Sequence, residues 1–270
     1  MNLMSISDNL INKTLDLFRT ALGGDFFERQ KSFFENSAQW TAPLAAGLGL
    51  LVAVISAIKL DALSPLLTGI GWLALVCVGY YIGTRFVTSC EQVIESNPTS
   101  ISSKSILDTT ALIGILLLIG ALVTALITSI QTSSFEPIII AVFVVWALLY
   151  LIAFTLNPDL VTTAIDDTAT AGEDAIAISV LLSKCGVKIA PVIFGTSLII
   201  GSLLLLQSIY EMVTDDNKFF QAIVSLESLS GVLMILSGLA YPLIAYLSFC
   251  FFYLFADLCK AILTLHKPRD

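Results

Sequence analysis

Residues 109–130 read TTALIGILLLIGALVTALITSI, a run without a single charged side chain. An α-helix needs about 20 apolar residues to cross the hydrocarbon core of a bilayer, and this run is long enough to do so. Five further apolar runs of similar length occupy residues 41–60, 62–87, 137–156, 189–209 and 229–256. Together the runs predict an all-α polytopic membrane protein whose six transmembrane helices form three hairpins.

The composition agrees with a membrane protein. Hydrophobic residues make up 57% of the 270 residues, charged residues make up 13%, and the mean hydropathy is +0.92. A soluble domain averages about 45–50% apolar and about 25% charged residues. The net charge of −8 argues against a nucleic-acid partner, so the lipid bilayer is the partner that the composition predicts.

Lysine and arginine residues fall on alternate connections between the apolar runs. On one side lie eleven of the 13, namely Lys13, Arg19, Arg29, Lys31, Arg85, Lys104, Lys184, Lys188, Lys260, Lys267 and Arg269. Only Lys59 and Lys218 lie on the other side. Because cytoplasmic loops are enriched in Lys and Arg, both termini should be cytoplasmic. The predicted external connections carry no Asn-x-Ser/Thr site, which fits a bacterial inner membrane.

The chain should contain three regions. Residues 1–39 form an amphipathic arm, residues 40–260 the six-helix transmembrane domain, and residues 261–270 a short cytoplasmic tail. Gly23-Gly24 should end the first arm helix. A second arm helix over residues 25–39 should lie in the headgroup region or pack against the cytoplasmic ends of the spans. The cytoplasmic connections, residues 88–105 and 157–188, should be helical, with Asn157 as the N-cap of a helix that continues through residue 170.

Small residues recur every four positions on three of the predicted spans. Such rows let helix backbones approach closely within lipid. They are Ala45, Gly49, Ala53 and Ala57 in span one, Gly79 and Gly83 in span two, and Gly120, Thr124 and Thr128 in span three. The preferred interpretation is packing within one chain, and the alternative is an interface between copies. Pro242 should kink span six, either as a hinge or as static shape.

Two functions fit these features. The first is a structural or assembly protein, a scaffold that binds copies of itself or a membrane-protein partner through its small-residue faces and cytoplasmic helices. The alternative is a channel or carrier for a small solute, with a polar pore or gate built from Ser197, Ser202, Gln207, Ser237 and Asp257. Ion-coupled transport usually places acidic residues at mid-membrane depth, and all six runs lack them, which favours the first function.

An enzymatic function is not expected. The single histidine, His266, lies outside the runs, and the sequence has no HExxH, GxGxxG or P-loop motif. The five cysteines show no CxxC spacing that would indicate a zinc site. Acidic residues within 166–174 and 211–227 lack the alternating ligand pattern of a calcium loop. We therefore expect no catalytic residue, metal site or cofactor.

Overall fold

A computed structural model describes residues 3–101, 104–132, 136–165, 171–214 and 226–266. Within these ranges the chain forms eight α-helices, one 3-10 helix and two short strands. The α-helices are α1 (Leu3–Ala21), α2 (Gly24–Leu60), α3 (Ser64–Ser96), α4 (Lys104–Thr132), α5 (Glu136–Leu156), α6 (Ala171–Lys188), α7 (Ala190–Thr214) and α8 (Leu226–His266). The 3-10 helix is Pro158–Val161, and the strands are β1 (Thr99–Ile101) and β2 (Thr163–Ile165). The prediction of a helical protein is confirmed.

Five helical stretches in the described part of the chain are long and apolar enough to cross a membrane. They are Gly24–Leu60, Ser64–Ser96, Lys104–Gln131, Gly172–Thr214 and Ser230–Ile262. Helix α5, with 21 residues, is also apolar, and Val144–Leu156 is its apolar segment among the described residues. The described part of the chain thus provides five such stretches, and the remaining predicted span corresponds to α5.

Much of the apolar surface of these helices points outward. Only 22% of the most apolar window of α4 is buried, and Leu116, Leu117 and Ile119 are all exposed. Exposing so much apolar surface to water would oppose folding, whereas lipid chains are as apolar as leucine. The burial pattern is therefore compatible with helices surrounded by hydrocarbon.

The arm differs from its prediction. Helix α1 ends at Ala21, just before the glycine pair, but residues 25–39 are not a separate helix. They are the N-terminal part of α2, which runs without a break from Gly24 to Leu60. Pro43 lies three residues after Trp40, but the helix continues through it, and Trp40 itself does not end one. An interfacial aromatic residue marks a depth in the membrane but carries no helix-stop signal.

Two compact units make up the chain. Unit 1 comprises Met1–Glu28, Ile94–Cys185 and Phe251–Asp270, and unit 2 comprises Arg29–Val93 and Gly186–Cys250. Each unit combines segments that are distant in the sequence. The units therefore cut across the boundaries predicted at residues 39 and 260.

The core of unit 2 lies where α2, α3, α7 and α8 meet. Small and branched side chains fill it, namely Ala38, Ala42, Ala45, Ala46, Val76, Phe194, Leu198, Leu205, Ile235 and Leu239. All four alanines come from α2. Because alanine side chains are short, this face of α2 lets its neighbours approach closely.

Unit 1 contains α1, α4, α5, most of α6 and the two strands. Gly114 of α4 lies directly against Ile152 of α5. Phe27 stacks on Phe154 with ring centroids 4.7 Å apart, and it meets Tyr150 edge-on at 4.9 Å. Both arrangements are favoured by the aromatic quadrupole and add about 0.5–1.5 kcal/mol each beyond burial of area. They fix the start of α2 against α5.

The two connections that the sequence places in the cytoplasm are not wholly helical, contrary to prediction. Helix α3 ends at Ser96 and β1 follows it, while the 3-10 helix and β2 replace the helix expected after Asn157. An Asn-Pro pair precedes each strand, and proline disfavours the helical conformation in the residue before it. Each strand reads Thr-x-Ile, and such β-branched residues favour extended backbone. The strands pair in parallel, with Thr99 opposite Thr163, Ser100 opposite Ala164 and Ile101 opposite Ile165.

Candidate functional site

The small-residue row of α2 packs against α3. A methyl group on Gly49 would overlap the indole of Trp72, and the indole Nε1 donates a hydrogen bond to the Ala45 carbonyl at 3.1 Å. Ala45 and Ala53 are buried, and Ala57 is half-buried. This row is therefore used inside the chain.

The glycines of α3 are covered in the same way. Gly79 lies against Leu239 of α8, and Gly83 lies against the ring of Phe194 of α7. Phe194 also stacks on Tyr80, with ring centroids 5.9 Å apart. An added side chain at either glycine would displace one of these two large neighbours.

Sequence reasoning missed a close helix approach between α7 and α8. A Cβ atom on Gly201 would lie 2.9 Å from the carbonyl oxygen of Gly231, and one on Gly231 would lie 3.2 Å from the carbonyl oxygen of Gly201. Further along, Gly238 faces the side chain of Ser197. The signal in the sequence is the seven-residue spacing of Gly231 and Gly238, which keeps both on one face of a helix. We call this contact the glycine seam.

The small-residue row of α4 differs from the rows of α2 and α3. Within the described part of the chain, no neighbouring atom lies within 4 Å of a Cβ built on Gly120. Gly120 and Thr124 are exposed, and Thr128 is half-buried. Helix α4 meets α5 through Gly114 instead. Gly120 and Thr124, the first two residues of this row, are therefore exposed.

The residues predicted to line a pore have different surroundings. Ser197 and Ser202 are buried, whereas Gln207, Ser237 and Asp257 are exposed. The Ser202 hydroxyl donates to the Leu198 carbonyl at 2.7 Å, and the Ser237 hydroxyl donates to the Met234 carbonyl at 2.9 Å.

The other two predicted pore residues, Gln207 and Asp257, belong to different units. Gln207 Nε2 donates to Glu211 Oε1 at 3.4 Å, one turn further along α7. Asp257 belongs to unit 1, and the four other predicted pore residues belong to unit 2. Three of the five predicted pore residues thus bond to acceptors on their own helices, an arrangement that requires no solute pathway.

Pro242 is buried inside α8, which continues on both sides of it. The Cys90 thiol of α3 lies 3.7 Å from the Pro242 carbonyl oxygen and can donate a weak hydrogen bond to it. The adjacent Tyr241 hydroxyl donates to the Gly186 carbonyl at 3.2 Å. Both side chains therefore form contacts at or next to the residue that the sequence predicts as a possible hinge.

The end of α1 is tied to α4 and α5 by two side chains. Arg19 Nε donates to the Leu156 carbonyl at the end of α5, and its Nη2 donates to Asp108 of α4, both at 3.3 Å. In return, Asn157 Nδ2 donates to the carbonyl oxygens of Leu22 at 3.1 Å and Arg19 at 3.4 Å. The last carbonyls of a helix lack partners within that helix, so each segment caps the other. The expected N-cap bond from the Asn157 side chain is absent from the 3-10 helix that follows it.

Lys184 of α6 is fully buried, at 0% exposure. Its Nζ donates to Thr99 Oγ1 at 3.0 Å, to the Val161 carbonyl at 3.0 Å and to the Thr162 carbonyl at 3.1 Å. These bonds use the three donors of an ammonium group, and all three acceptors are uncharged. A buried cation that lacks an opposite charge costs several kcal/mol unless its donors are satisfied. The sequence identified Lys184 only as a topology-setting cation and gave no signal of its burial.

Within the described ranges, no group of three or more His, Cys, Asp or Glu residues could hold a metal ion. Residues 166–170 and 215–225, which include parts of both acidic clusters, lie outside the described residues. The end of the predicted tail, residues 267–270, lies outside them as well.

Comparison with family models, curated proteins and solved structures finds no match for this chain.

Proposed function

We propose that this chain is a non-catalytic membrane assembly protein that associates with copies of itself through α4. Six transmembrane helices, with α5 as the sixth, form three hairpins in a bacterial inner membrane, and both termini lie in the cytoplasm. The alternation of basic residues supports this orientation. The five long apolar stretches support the membrane location.

The exposed residues Gly120 and Thr124 of α4 carry this proposal. The rows on α2 and α3 contact Trp72, Leu239 and Phe194 within the chain, whereas Gly120 has an open face. In lipid, close packing of small residues stabilises helix pairs because the two backbones can approach further than lipid chains can. Two copies related by a twofold axis would present the same row to each other, so the interface needs no second surface.

The hydroxyl contacts favour assembly over solute transport. A pore needs hydroxyl groups that are free to hydrate or bind a solute. The Ser202 and Ser237 hydroxyls instead donate to carbonyls of their own helices.

Native mass measurement of the full chain in mild detergent tests the proposal. Gly120→Leu should shift the protein toward smaller species because a leucine prevents close backbone approach. Gly71→Leu is the matched control, since Gly71 of α3 is equally free of described neighbours within 4 Å. An unchanged mass for Gly120→Leu, or a loss of mass only for Gly71→Leu, would remove α4 from the interface.

Accessibility of terminal tags in sealed inner-membrane vesicles tests the topology. Tags at Met1 and Asp270 should both be protected or both be cleaved. Opposite behaviour of the two tags would require an odd number of crossings and would refute the six-helix arrangement.

A further inference from the structure

The environment of Lys184 contains a second unfavourable feature besides the buried charge. Thr162, one of its partners, has a left-handed backbone with φ of 53°. This region is rarely occupied by β-branched residues because their Cβ substituents crowd the backbone. Such strained residues persist only where their surroundings hold them in place, and they cluster at sites of conformational change.

The Thr162 carbonyl oxygen accepts two hydrogen bonds. It accepts a hydrogen bond from Lys184 Nζ and another from the backbone N–H of Thr99, both at 3.1 Å. The Val161 carbonyl, at the end of the 3-10 helix, accepts the second lysine bond. Carbonyls at a helix end have no partner within the helix, so they are available to the ammonium group.

Lys184 also reaches the strand on the other side. Its third bond goes to Thr99 Oγ1, which lies 2.9 Å from Thr163 Oγ1 across the strand pair. One ammonium therefore contacts β1, the residue before β2, and the end of the 3-10 helix. These segments come from two separate connections of the chain.

We propose that Lys184 is a latch: its ammonium holds Thr162 in the left-handed conformation and thereby keeps β2 paired with β1. When the ammonium withdraws, the two carbonyls lose their partner and Thr162 relaxes to an ordinary backbone conformation. Strand β2 then separates from β1, which frees both Asn-Pro connections. The latch is a conformational device that does not depend on self-association through α4.

Disulfide cross-linking between the strands tests the latch in the full chain. Ser100 and Ala164 are aligned across the strand pair, and both are exposed. The variant Ser100→Cys with Ala164→Cys should form a disulfide under mild oxidation, because directly paired strand residues lie within the Cα separation that a disulfide requires. Mass spectrometry of the digested protein identifies the linked peptide and gives its rate of formation.

Lys184→Met in this background retains a long side chain but removes all three donors. We expect Lys184→Met to slow cross-linking by at least about tenfold. The backbone strain at Thr162, once Lys184 no longer holds that residue, corresponds to a factor of this size in the equilibrium between paired and separated strands. Lys104→Met is the matched control, because Lys104 is exposed, and it should cross-link at the parent rate. Equal rates for Lys184→Met and Lys104→Met would overturn the latch.

A second substitution separates the latch from a general loss of packing. Glycine adopts the left-handed conformation without strain, so Thr162→Gly should restore most of the cross-linking rate to Lys184→Met. Comparing Lys184→Met with the double variant Lys184→Met, Thr162→Gly also tests the latch if Lys184→Met alone does not fold. A folded double variant with fast cross-linking supports the latch, whereas a double variant that is as slow or as unfolded as the single variant refutes it.

Discussion

The glycine seam between α7 and α8 predicts that the same substitution has different effects on stability at two glycines. Gly201→Ala places a methyl group where the structure has room for none. Its carbon would overlap Ile235 Cγ1 and would lie 2.9 Å from the Gly231 carbonyl oxygen. Ordinary C···O contacts begin at about 3.3 Å, so the two helices must separate or Ile235 must move. Gly47→Ala on α2 is the control, because the described neighbours of Gly47 leave open space.

The expected difference follows from two opposing terms. Replacing glycine by alanine inside a helix stabilises the folded chain by about 0.5–1 kcal/mol, and both variants receive this gain. Adding a carbon to a filled interface costs about 1–3 kcal/mol, and only Gly201→Ala incurs this cost. Gly47→Ala should therefore be slightly more stable than the parent protein. Gly201→Ala should be less stable than Gly47→Ala by about 1–3 kcal/mol.

Unfolding of the purified protein in mixed micelles, with sodium dodecyl sulfate as denaturant, measures the free energies. Helical circular dichroism reports the loss of structure, and reversibility is checked by dilution into mild detergent. The reasoning would fail if Gly201→Ala were as stable as Gly47→Ala. That result would mean that α7 and α8 do not approach at Gly201, and the glycine seam would have to be abandoned.

Three further predictions concern the polar contacts. Trp72→Phe keeps the ring over Gly49 but removes the bond to the Ala45 carbonyl, and it should lower the free energy of unfolding by about 0.5–1.5 kcal/mol in the same assay. Arg19→Ala should lower the free energy of unfolding by about 1–2 kcal/mol, because the end of α5 loses its cap and Asp108 loses its partner. Arg29 is exposed, so Arg29→Ala should change this free energy by less than about 0.5 kcal/mol. Lys31 Nζ lies 2.7 Å from Glu91 Oε1 in a partly exposed ion pair. A double-mutant cycle should give a coupling energy of about 0.5–1 kcal/mol that falls as the salt concentration is raised. A coupling energy that does not change with salt would contradict this prediction.

Local patterns in the sequence predicted the helices well and the connections poorly. Runs of apolar residues predict long helices because every residue in the run contributes to its hydropathy. The sequence predicts an α-helix after Asn157 because a proline can begin one, whereas the structure has a four-residue 3-10 helix followed by β2. Residues 163–165 form a strand instead of a helix because Thr163 pairs with Thr99, which lies in another connection of the chain. The same long-range dependence explains why Asn157 caps α1 rather than the segment that follows it.

The small-residue rows show a similar division. Their spacing is visible in the sequence, and in the structure Gly49, Gly79 and Gly83 contact large side chains of neighbouring helices. The spacing did not distinguish Gly49, which lies under Trp72, from Gly120, which is open. The four-residue spacing also gave no indication of the glycine seam, since neither Gly201 nor Gly231 belongs to a long row of small residues.

The amino-acid sequence by itself determined that this chain is helical and that its long helices have apolar surfaces, because hydropathy and helix propensity are properties of each local run. The tertiary structure alone decided which glycines are covered, which carbonyls Arg19 and Asn157 cap, and that Lys184 is buried between two connections. Those outcomes depend on pairings between segments far apart in the chain. Their energies come from close contact and removal of solvent, which no single segment possesses before the others are in place.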